Sequence, residues 1–344
     1  MKFREDPHYA RSLKVQYASE VDALINRRED ELATSRHAFC ADILQNTESH
    51  RKAYLDMLGW PLNASLPRPT PEAMVVEELG DEGEYTLLRM KIRVMEGLWL
   101  NGLYLRLNTR ERRPLVIAQH GGDGTPELIS GFYFDGSSVN YNHMVTGLMP
   151  HRVHIFMPAL LLWDTKFYGV PYDRLEVDAR LKRVGGSVTA LEVYAITRVI
   201  DYFEATLNPL SFGMVGLSYG GHYTLAATAA EPRIRSAISS SFFSDRRYYA
   251  WPDWTWKHAA ATYDDAEIAC LCYPRRLCVY MGDRDELFAL QHTRTAEAEV
   301  KAYCAAAGVD PADWFESIIF DGTHEYGRME EPVTRLIRDL EEGA

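Results

Sequence analysis

The stretch FGMVGLSYGGHYTLAATAA, residues 212–230, sets the interpretation of the rest of the chain. It opens with a short, mostly apolar run typical of a buried strand and ends in small residues that favour a helix. Between the two, Ser218 has Gly216 and Gly220 two positions away on either side. A strand that turns directly into a helix is so tight that larger side chains at the flanking positions would collide. The stretch therefore predicts a strained turn that presents the Ser218 hydroxyl, with an ordinary serine in a glycine-rich bend as the alternative.

Two further side chains follow in the order that a serine nucleophile requires. A serine hydroxyl needs a base to take its proton, and in a strand–turn–helix setting an acid and then a histidine come later in the chain. His324 lies past the last predicted strand, and Asp283, Asp285 and Glu286 lie just past the strand before it. We expect Asp285 to be the acid, because Asp283 directly follows the strand and is placed to cap the turn. Glu286 is the third choice.

The loop His120-Gly121-Gly122-Asp123-Gly124 follows an earlier predicted strand. A tetrahedral intermediate carries an oxyanion that needs backbone donors, and glycines let the backbone approach a substrate closely. We expect one donor to be the Tyr219 N–H, directly after the serine, and the second to be the Gly122 N–H. Gly121 and Asp123 are the alternatives for the second donor, and His120 is expected to be structural.

The remaining pattern predicts an α/β protein with a mostly parallel, doubly wound sheet and helices on both faces. Residues 73–108 alternate as antiparallel first strands, and residues 8–58 are helical and highly charged. We divide the chain into an N-terminal helical extension and linker over 1–72 and a catalytic domain over 73–344. The parallel strands are expected near 114–119, 153–160, 212–217, 235–241, 276–282 and 316–322.

An aromatic-rich insert near residues 241–265 follows the strand after the serine turn. Loops at the carboxyl ends of parallel strands line the site in open α/β sheets, so Phe243, Trp251 and Trp254 are expected to bind substrate. Trp163, in the loop after an earlier strand, is expected to join them. Packing of a cap or of a subunit contact is the alternative for the insert, which leaves a homo-oligomer open.

Composition limits the cellular compartment and the classes of binding partner that we expect. A formal net charge of −12 argues against a nucleic-acid partner. The first residues contain no secretory signal, and no apolar run is long enough to cross a membrane. Five cysteines, an odd number, fit reduced thiols in the cytoplasm. Cys270 and Cys272 lack a second ligand pair at zinc spacing, so no metal is expected.

Taken together, QHGGDG (119–124), GLSYGG (216–221), GDRDELF (282–288) and DGTHEY (321–326) resemble the α/β-hydrolase superfamily. Their order and flanks are similar to its dienelactone-hydrolase-like and acetyl-xylan-esterase-like serine esterases, over residues 85–342. The resemblance implies an α/β-hydrolase fold and a carboxylic ester hydrolase with a triad of Ser218, His324 and Asp285. It also implies no cofactor and small-molecule esters as substrates, acylated carbohydrates among them.

Dienelactone hydrolases proper use cysteine as the nucleophile, and the serine of this chain favours ordinary carboxylic esters over such lactones. Two other functions stay open. GLSYGG also resembles serine peptidases of the prolyl-oligopeptidase type, although the stretch before the catalytic sheet is too short for their propeller. A binding protein on the same fold that has lost turnover is the other alternative.

Overall fold

The computed structural model describes residues 6–65, 70–132, 139–162, 171–249 and 251–342. Within these ranges the chain forms nine α-helices and nine β-strands. In chain order they are α1 (Pro7–Phe39), α2 (Thr47–Leu58), β1 (Ala73–Asp81), β2 (Tyr85–Met95), β3 (Leu98–Leu107), β4 (Leu115–Gln119), α3 (Pro126–Ser130), β5 (His154–Pro158), α4 (Arg174–Arg183), α5 (Val188–Thr206), β6 (Phe212–Leu217), α6 (Tyr219–Ala230), β7 (Ile234–Ser240), α7 (Asp265–Cys270), β8 (Arg276–Gly282), α8 (Leu290–Ala307), β9 (Phe315–Phe320) and α9 (Glu330–Glu341).

All nine strands join one sheet in the order β1-β2-β3-β5-β4-β6-β7-β8-β9. The pairs β1–β2, β2–β3 and β3–β5 are antiparallel, and the pairs from β5–β4 to β8–β9 are parallel. The predicted parallel sheet with antiparallel first strands is therefore confirmed. Strands β4 to β8 are buried over almost their whole length because helices cover both of their faces.

Two apolar cores lie on opposite faces of the sheet. Helices α2, α5, α6, α7 and α8 contribute to the larger core, which contains Tyr54, Phe203 and Trp314. Helices α3 and α9 contribute to the smaller core, through Ile129 and Leu336 among others. Helices on both faces were predicted, and the described part of the chain confirms them.

The charged N-terminal region forms two helices rather than one continuous helical stretch. Helix α1 ends at Phe39, and turns lead to α2 at Thr47. The larger core includes Cys40 and Ile43 between the two helices, as well as Tyr54 of α2. The division into an extension over 1–72 and a catalytic domain over 73–344 stays a prediction. Among the described residues, every helix is too short or too polar to cross a bilayer.

The strand order indicates where along the sheet a site can form, at the carboxyl ends of β4 and β6. The chain runs from β4 outward to β5 and then crosses back to β6 on the other side of β4. Loops that leave β4 and β6 therefore diverge to opposite faces, which opens a crevice at their carboxyl ends. The turn with Ser218 leaves β6 at this crevice, and the loop with Gly121 and Gly122 leaves β4 there.

Candidate active site

Ser218 occupies a strained turn between β6 and α6. Its backbone has φ of 60° and ψ of −119°, a conformation that non-glycine residues rarely adopt. A Cβ added at Gly216 would lie 2.3 Å from the carbonyl oxygen of Gly220, and one added at Gly220 would lie 2.3 Å from that of Gln119. Both glycines are therefore required by backbone packing, as the spacing around the serine indicated.

The imidazole of His324 is bonded to the carboxylate of Asp285. Nδ1 of His324 lies 2.9 Å from Oδ2 and 3.1 Å from Oδ1 of Asp285. The backbone N–H groups of Leu287 and Phe288 both donate to Oδ1 at 2.9 Å, so the carboxylate is held as an acceptor. Nδ1 therefore carries the proton, which leaves Nε2 of His324 as the basic nitrogen.

The other two acidic candidates lie elsewhere in the same turn. Asp283 is exposed, accepts the N–H of Gly322 at 3.0 Å and pairs with Arg284. This agrees with a role in the turn. The Glu286 side chain is exposed to solvent. Of the three candidates, Asp285 is the one that the described hydrogen bonds connect to the imidazole.

The glycine loop after β4 lies against the serine turn. A Cβ added at Gly121 would lie 3.4 Å from the Cβ of Ser218. The N–H of Gly121 donates to the buried hydroxyl of Tyr141 at 2.9 Å, so it is already occupied. Gly122 therefore stays the predicted second oxyanion donor. His120 accepts the N–H of Leu160 at 3.0 Å through Nε2, consistent with the structural role expected of it.

A cavity of about 500 Å³ brings these groups together. Ser218 and His324 both line it, and so do both predicted donor residues, Gly122 and Tyr219. The full lining consists of Gly121, Gly122, Asp123, Val139, Asn140, Tyr141, Leu217, Ser218, Tyr219, Trp251, Leu287, Thr323, His324 and Glu325. A strained serine, an imidazole with an anionic partner and backbone N–H groups near one space can support acyl transfer.

No protein-family model and no curated protein matches this chain. Solved structures do. A proposed acetyl xylan esterase from Bacteroides fragilis is similar with a TM-score of 0.65 and 12% identity, over 86% of this chain and 78% of that chain. A glucuronoyl esterase from Solibacter usitatus is similar with a TM-score of 0.61 and 13% identity, over 85% of this chain and 91% of that chain. Methylesterase BT1017 is similar with a TM-score of 0.59 and 14% identity, over 90% of this chain and 67% of that chain.

The chain has the α/β-hydrolase fold. Sequence identities of 12–14% establish the fold and nothing finer. Within this α/β-hydrolase fold, Ser218 occupies the turn between β6 and α6, and Asp285 and His324 follow in the loops after β8 and β9.

The aromatic insert of this α/β-hydrolase fold contributes one residue to the wall of the cavity and several residues to the core. Trp251 lines the cavity. Trp254 is fully buried behind it, with ring centroids 4.6 Å apart. Phe243 is also fully buried and packs against Phe315. The expectation that Phe243 and Trp254 contact substrate is therefore corrected, because both rings are covered by the core. Trp163 lies outside the described residues.

A buried ionic network joins the insert to the turn behind the serine. Nε of Arg174 donates to Oδ2 of Asp253 at 2.7 Å, and its Nη2 donates to the hydroxyl of Tyr223 at 2.6 Å. Glu192 lies 3.5 Å from Nη1 of Arg174. The hydroxyl of Tyr219 donates to the same Oδ2 of Asp253 at 3.0 Å. Burial opposes the charge of Arg174, yet its contacts with Tyr223, Glu192 and Asp253 raise its pKa well above the ordinary value.

This network could not be found from the sequence. Arg174 and Asp253 are 79 positions apart, and no motif spacing relates an arginine at the start of α4 to an aspartate in the insert. Tyr141, which holds the Gly121 N–H, likewise comes from a segment without a recognisable pattern. The one available signal was the polar Asp253 amid aromatic residues, because a buried carboxylate requires a partner.

One group of side chains has ligand atoms close enough to hold a metal, among the residues that the structure describes. It consists of His37, Glu267 and Glu299. Arg36 already pairs with Glu267 at 3.0 Å and lies 3.6 Å from Glu299. A guanidinium at this distance opposes a second cation, and none of the three residues lines the cavity with Ser218.

Proposed function

We propose that this chain is a serine hydrolase that cleaves carboxylic esters, with Ser218 as nucleophile, His324 as general base and Asp285 as its acidic partner. The observation that carries the proposal is that a serine in a strained strand-to-helix turn and a histidine bonded to a buried carboxylate line one cavity. The α/β-hydrolase fold supports it, because the three residues occur in the order that the fold uses.

Acylation begins when the Ser218 Oγ attacks the ester carbonyl and its proton passes to Nε2 of His324. Asp285 keeps Nδ1–H oriented and stabilises the imidazolium that forms. The carbonyl oxygen becomes an oxyanion, which accepts hydrogen bonds from the N–H groups of Tyr219 and Gly122. The tetrahedral intermediate collapses, the bond to the alcohol oxygen breaks, and His324 returns the proton to the leaving alcohol.

Deacylation repeats these steps with water as the nucleophile. His324 takes a proton from the water as its oxygen attacks the acyl carbon, and the same backbone donors hold the second oxyanion. Collapse breaks the bond to Ser218 Oγ, which recovers its proton from His324, and the carboxylic acid leaves. No step needs a redox partner or a cofactor.

The proposed substrates are small esters, with acylated carbohydrates as the preferred class. A cavity of about 500 Å³ has room for an acyl group and one sugar ring. Trp251 presents an aromatic ring on its wall, and such rings pack against the apolar faces of sugars. The names of the structural neighbours, an acetyl xylan esterase and a glucuronoyl esterase, support the same class.

A fluorophosphonate probe combined with an ester panel tests the proposal. The wild-type chain should be labelled at Ser218 and should hydrolyse p-nitrophenyl acetate and acetylated sugars. Ser218→Ala should lose labelling and at least about 10³-fold in kcat. Ser211→Ala is the matched control, because Ser211 precedes the opposite end of β6, where its hydroxyl donates to the Leu340 carbonyl.

The results separate the alternatives. A folded wild-type chain that neither reacts with the probe nor hydrolyses any ester would favour a binding protein on this fold. Faster hydrolysis of short peptide amides than of matched esters would favour a peptidase. Unchanged hydrolysis by Ser218→Ala would contradict the assignment of the nucleophile.

A further inference from the structure

The wall of the cavity with Ser218 is negatively charged. Among the residues that the structure describes, its acidic side chains are Asp123 and Glu325, its basic side chain is His324, and none is Lys or Arg. The chain as a whole has the same sign, with a formal net charge of −12. A carboxylate on a bound molecule would therefore lie beside protein carboxylates, without a described Lys or Arg on the wall to pair with.

Arginines in the segments around this wall are paired with protein carboxylates. In the aromatic insert and in the turn after β8 the pairs are Arg246 with Asp265, Arg247 with Asp245, and Arg284 with Asp283 and Asp321. Arg328 lies 3.7 Å from Oε2 of Glu325, but it is 74% exposed and lines a different cavity. Because solvent screens an exposed guanidinium, Arg328 offsets only part of the Glu325 charge.

Hydrogen bonds hold Glu325 in place beside His324. Its Oε2 accepts a hydrogen bond from Nδ2 of Asn142 at 2.5 Å, and its Oε1 accepts the backbone N–H of Thr323 at 3.3 Å. The carbonyl oxygen of Glu325 accepts the hydroxyl of Ser241 at 3.0 Å. Both carboxylate oxygens and the backbone of residue 325 are therefore held, which keeps the negative charge at the wall.

The alcohol part of the substrate is the part that meets this charge. Thr323, His324 and Glu325 line one stretch of the wall, and in the proposed mechanism His324 returns a proton to the leaving alcohol. We infer that the site selects esters whose alcohol carries no negative charge, and that Glu325 determines this specificity. The inference rests on the proposed esterase function. It places esters of neutral sugars and of amino sugars in the accepted class, and esters of acidic sugars outside it.

Three acetyl esters of similar size and different charge test the inference: those of 3-hydroxybenzamide, 3-hydroxybenzoate and 3-hydroxyphenyltrimethylammonium. Each kcat/KM is divided by the rate of spontaneous hydrolysis of the same ester, which removes differences in intrinsic reactivity. At an effective dielectric constant of about 20, two like charges about 10 Å apart repel enough to change a rate by about 15-fold. Since Arg328 offsets part of this, the wild type should prefer the amide to the carboxylate by about tenfold and should accept the cation at least as well as the amide.

Glu325→Gln assigns the preference to one residue, because it removes the charge and keeps the size and an acceptor oxygen. The ratio of the amide to the carboxylate ester should fall from about tenfold to within about twofold. Asp321→Asn is the matched control, since Asp321 is in the same loop, is 85% exposed and does not line the cavity. Its ratio should stay about tenfold. An unchanged ratio in Glu325→Gln, or an equal fall in Asp321→Asn, would overturn the inference.

A salt titration of the wild type tests the electrostatic origin without any variant. Raising NaCl from about 50 mM to about 500 mM should narrow the preference for the amide ester by at least about twofold, because salt screens the repulsion. A preference that does not respond to salt would overturn the inference. Equal hydrolysis of the amide and carboxylate esters would also overturn it and leave the esterase proposal standing. If no ester is hydrolysed and Ser218 is not labelled by the fluorophosphonate, both proposals fail.

Discussion

Replacing Asp253 with alanine should destabilise the chain strongly, because it leaves a buried guanidinium without its main partner. Asp253 accepts hydrogen bonds from both Arg174 and Tyr219, and all three side chains are buried. Removing one partner of a buried ion pair costs about 3–5 kcal/mol. Glu192 remains 3.5 Å from Arg174, so we expect a loss of unfolding free energy near the lower end, about 3 kcal/mol.

Two related variants should lose different amounts of unfolding free energy, which ranks them on either side of Asp253→Ala. Asp253→Asn keeps an acceptor oxygen for Arg174 and Tyr219 and leaves the Arg174–Glu192 pair electrically neutral. Its loss should be smaller, about 1–2 kcal/mol. Arg174→Ala leaves the carboxylates of Asp253 and Glu192 buried without a cation, and should cost the most, about 5 kcal/mol.

Equilibrium unfolding in urea measures all three variants, with the midpoint and slope compared to wild type. A loss under about 1 kcal/mol for Asp253→Ala would refute the assignment of a buried ion pair, whereas an equal loss for Asp253→Asn would contradict only the ranking, because the charge would then account for the whole effect. If the proposed esterase function holds, Asp253→Asn should also raise KM for acetylated sugars more than it lowers kcat for p-nitrophenyl acetate. The reason is that Asp253 holds the segment carrying Trp251, whereas the backbone donors stay in place.

Three further results are expected. Asp285→Asn should lower kcat for p-nitrophenyl acetate by about 10³–10⁴-fold, whereas Asp283→Asn should change it less than about tenfold, because only Asp285 orients the imidazole. Tyr141→Phe should destabilise the chain by about 1–3 kcal/mol in urea and reduce kcat, because the buried N–H of Gly121 loses its acceptor. Acid should destabilise the fold through His154, whose pKa burial lowers to about 4. Since the unfolded chain takes up that proton near its ordinary pKa of about 6.5, stability is full above pH 6.5 and is lost as pH falls toward 4.

A control variant and the contradicting outcomes can be stated for the His154 and Asp285 predictions. His154→Gln should make the urea midpoint depend less on pH in acid. Burial also lowers the pKa of His222, so the contribution of His154 is the difference between the pH profiles of wild type and His154→Gln. Nδ1 of His154 accepts the N–H of Leu107 at 3.2 Å, so protonation would break that bond. An identical pH profile for His154→Gln and wild type would contradict this. A larger kinetic loss for Asp283→Asn than for Asp285→Asn would reverse the choice of acid.

The sequence was sufficient wherever a local constraint acts. The backbone of Gly220 crowds position 216 within the same turn, so glycine at 216 follows from local sterics, whereas glycine at 220 is required by the backbone of Gln119 in β4. Apolar runs and their alternation with helices likewise predicted the parallel sheet, because most strands that are covered on both faces are rich in apolar residues. The chain order of Ser218, Asp285 and His324 then followed from the order of the strands.

Tertiary structure alone decided which side chains face the cavity and which support it. Trp251 and Trp254 are three positions apart in one aromatic segment, yet one lines the cavity and the other is buried behind it. The pairing of Arg174 with Asp253, 79 positions apart, has the same origin. Composition states that a side chain is aromatic or charged, but its neighbours come from distant segments. Exposure and pairing therefore depend on how those segments pack, which no local pattern encodes.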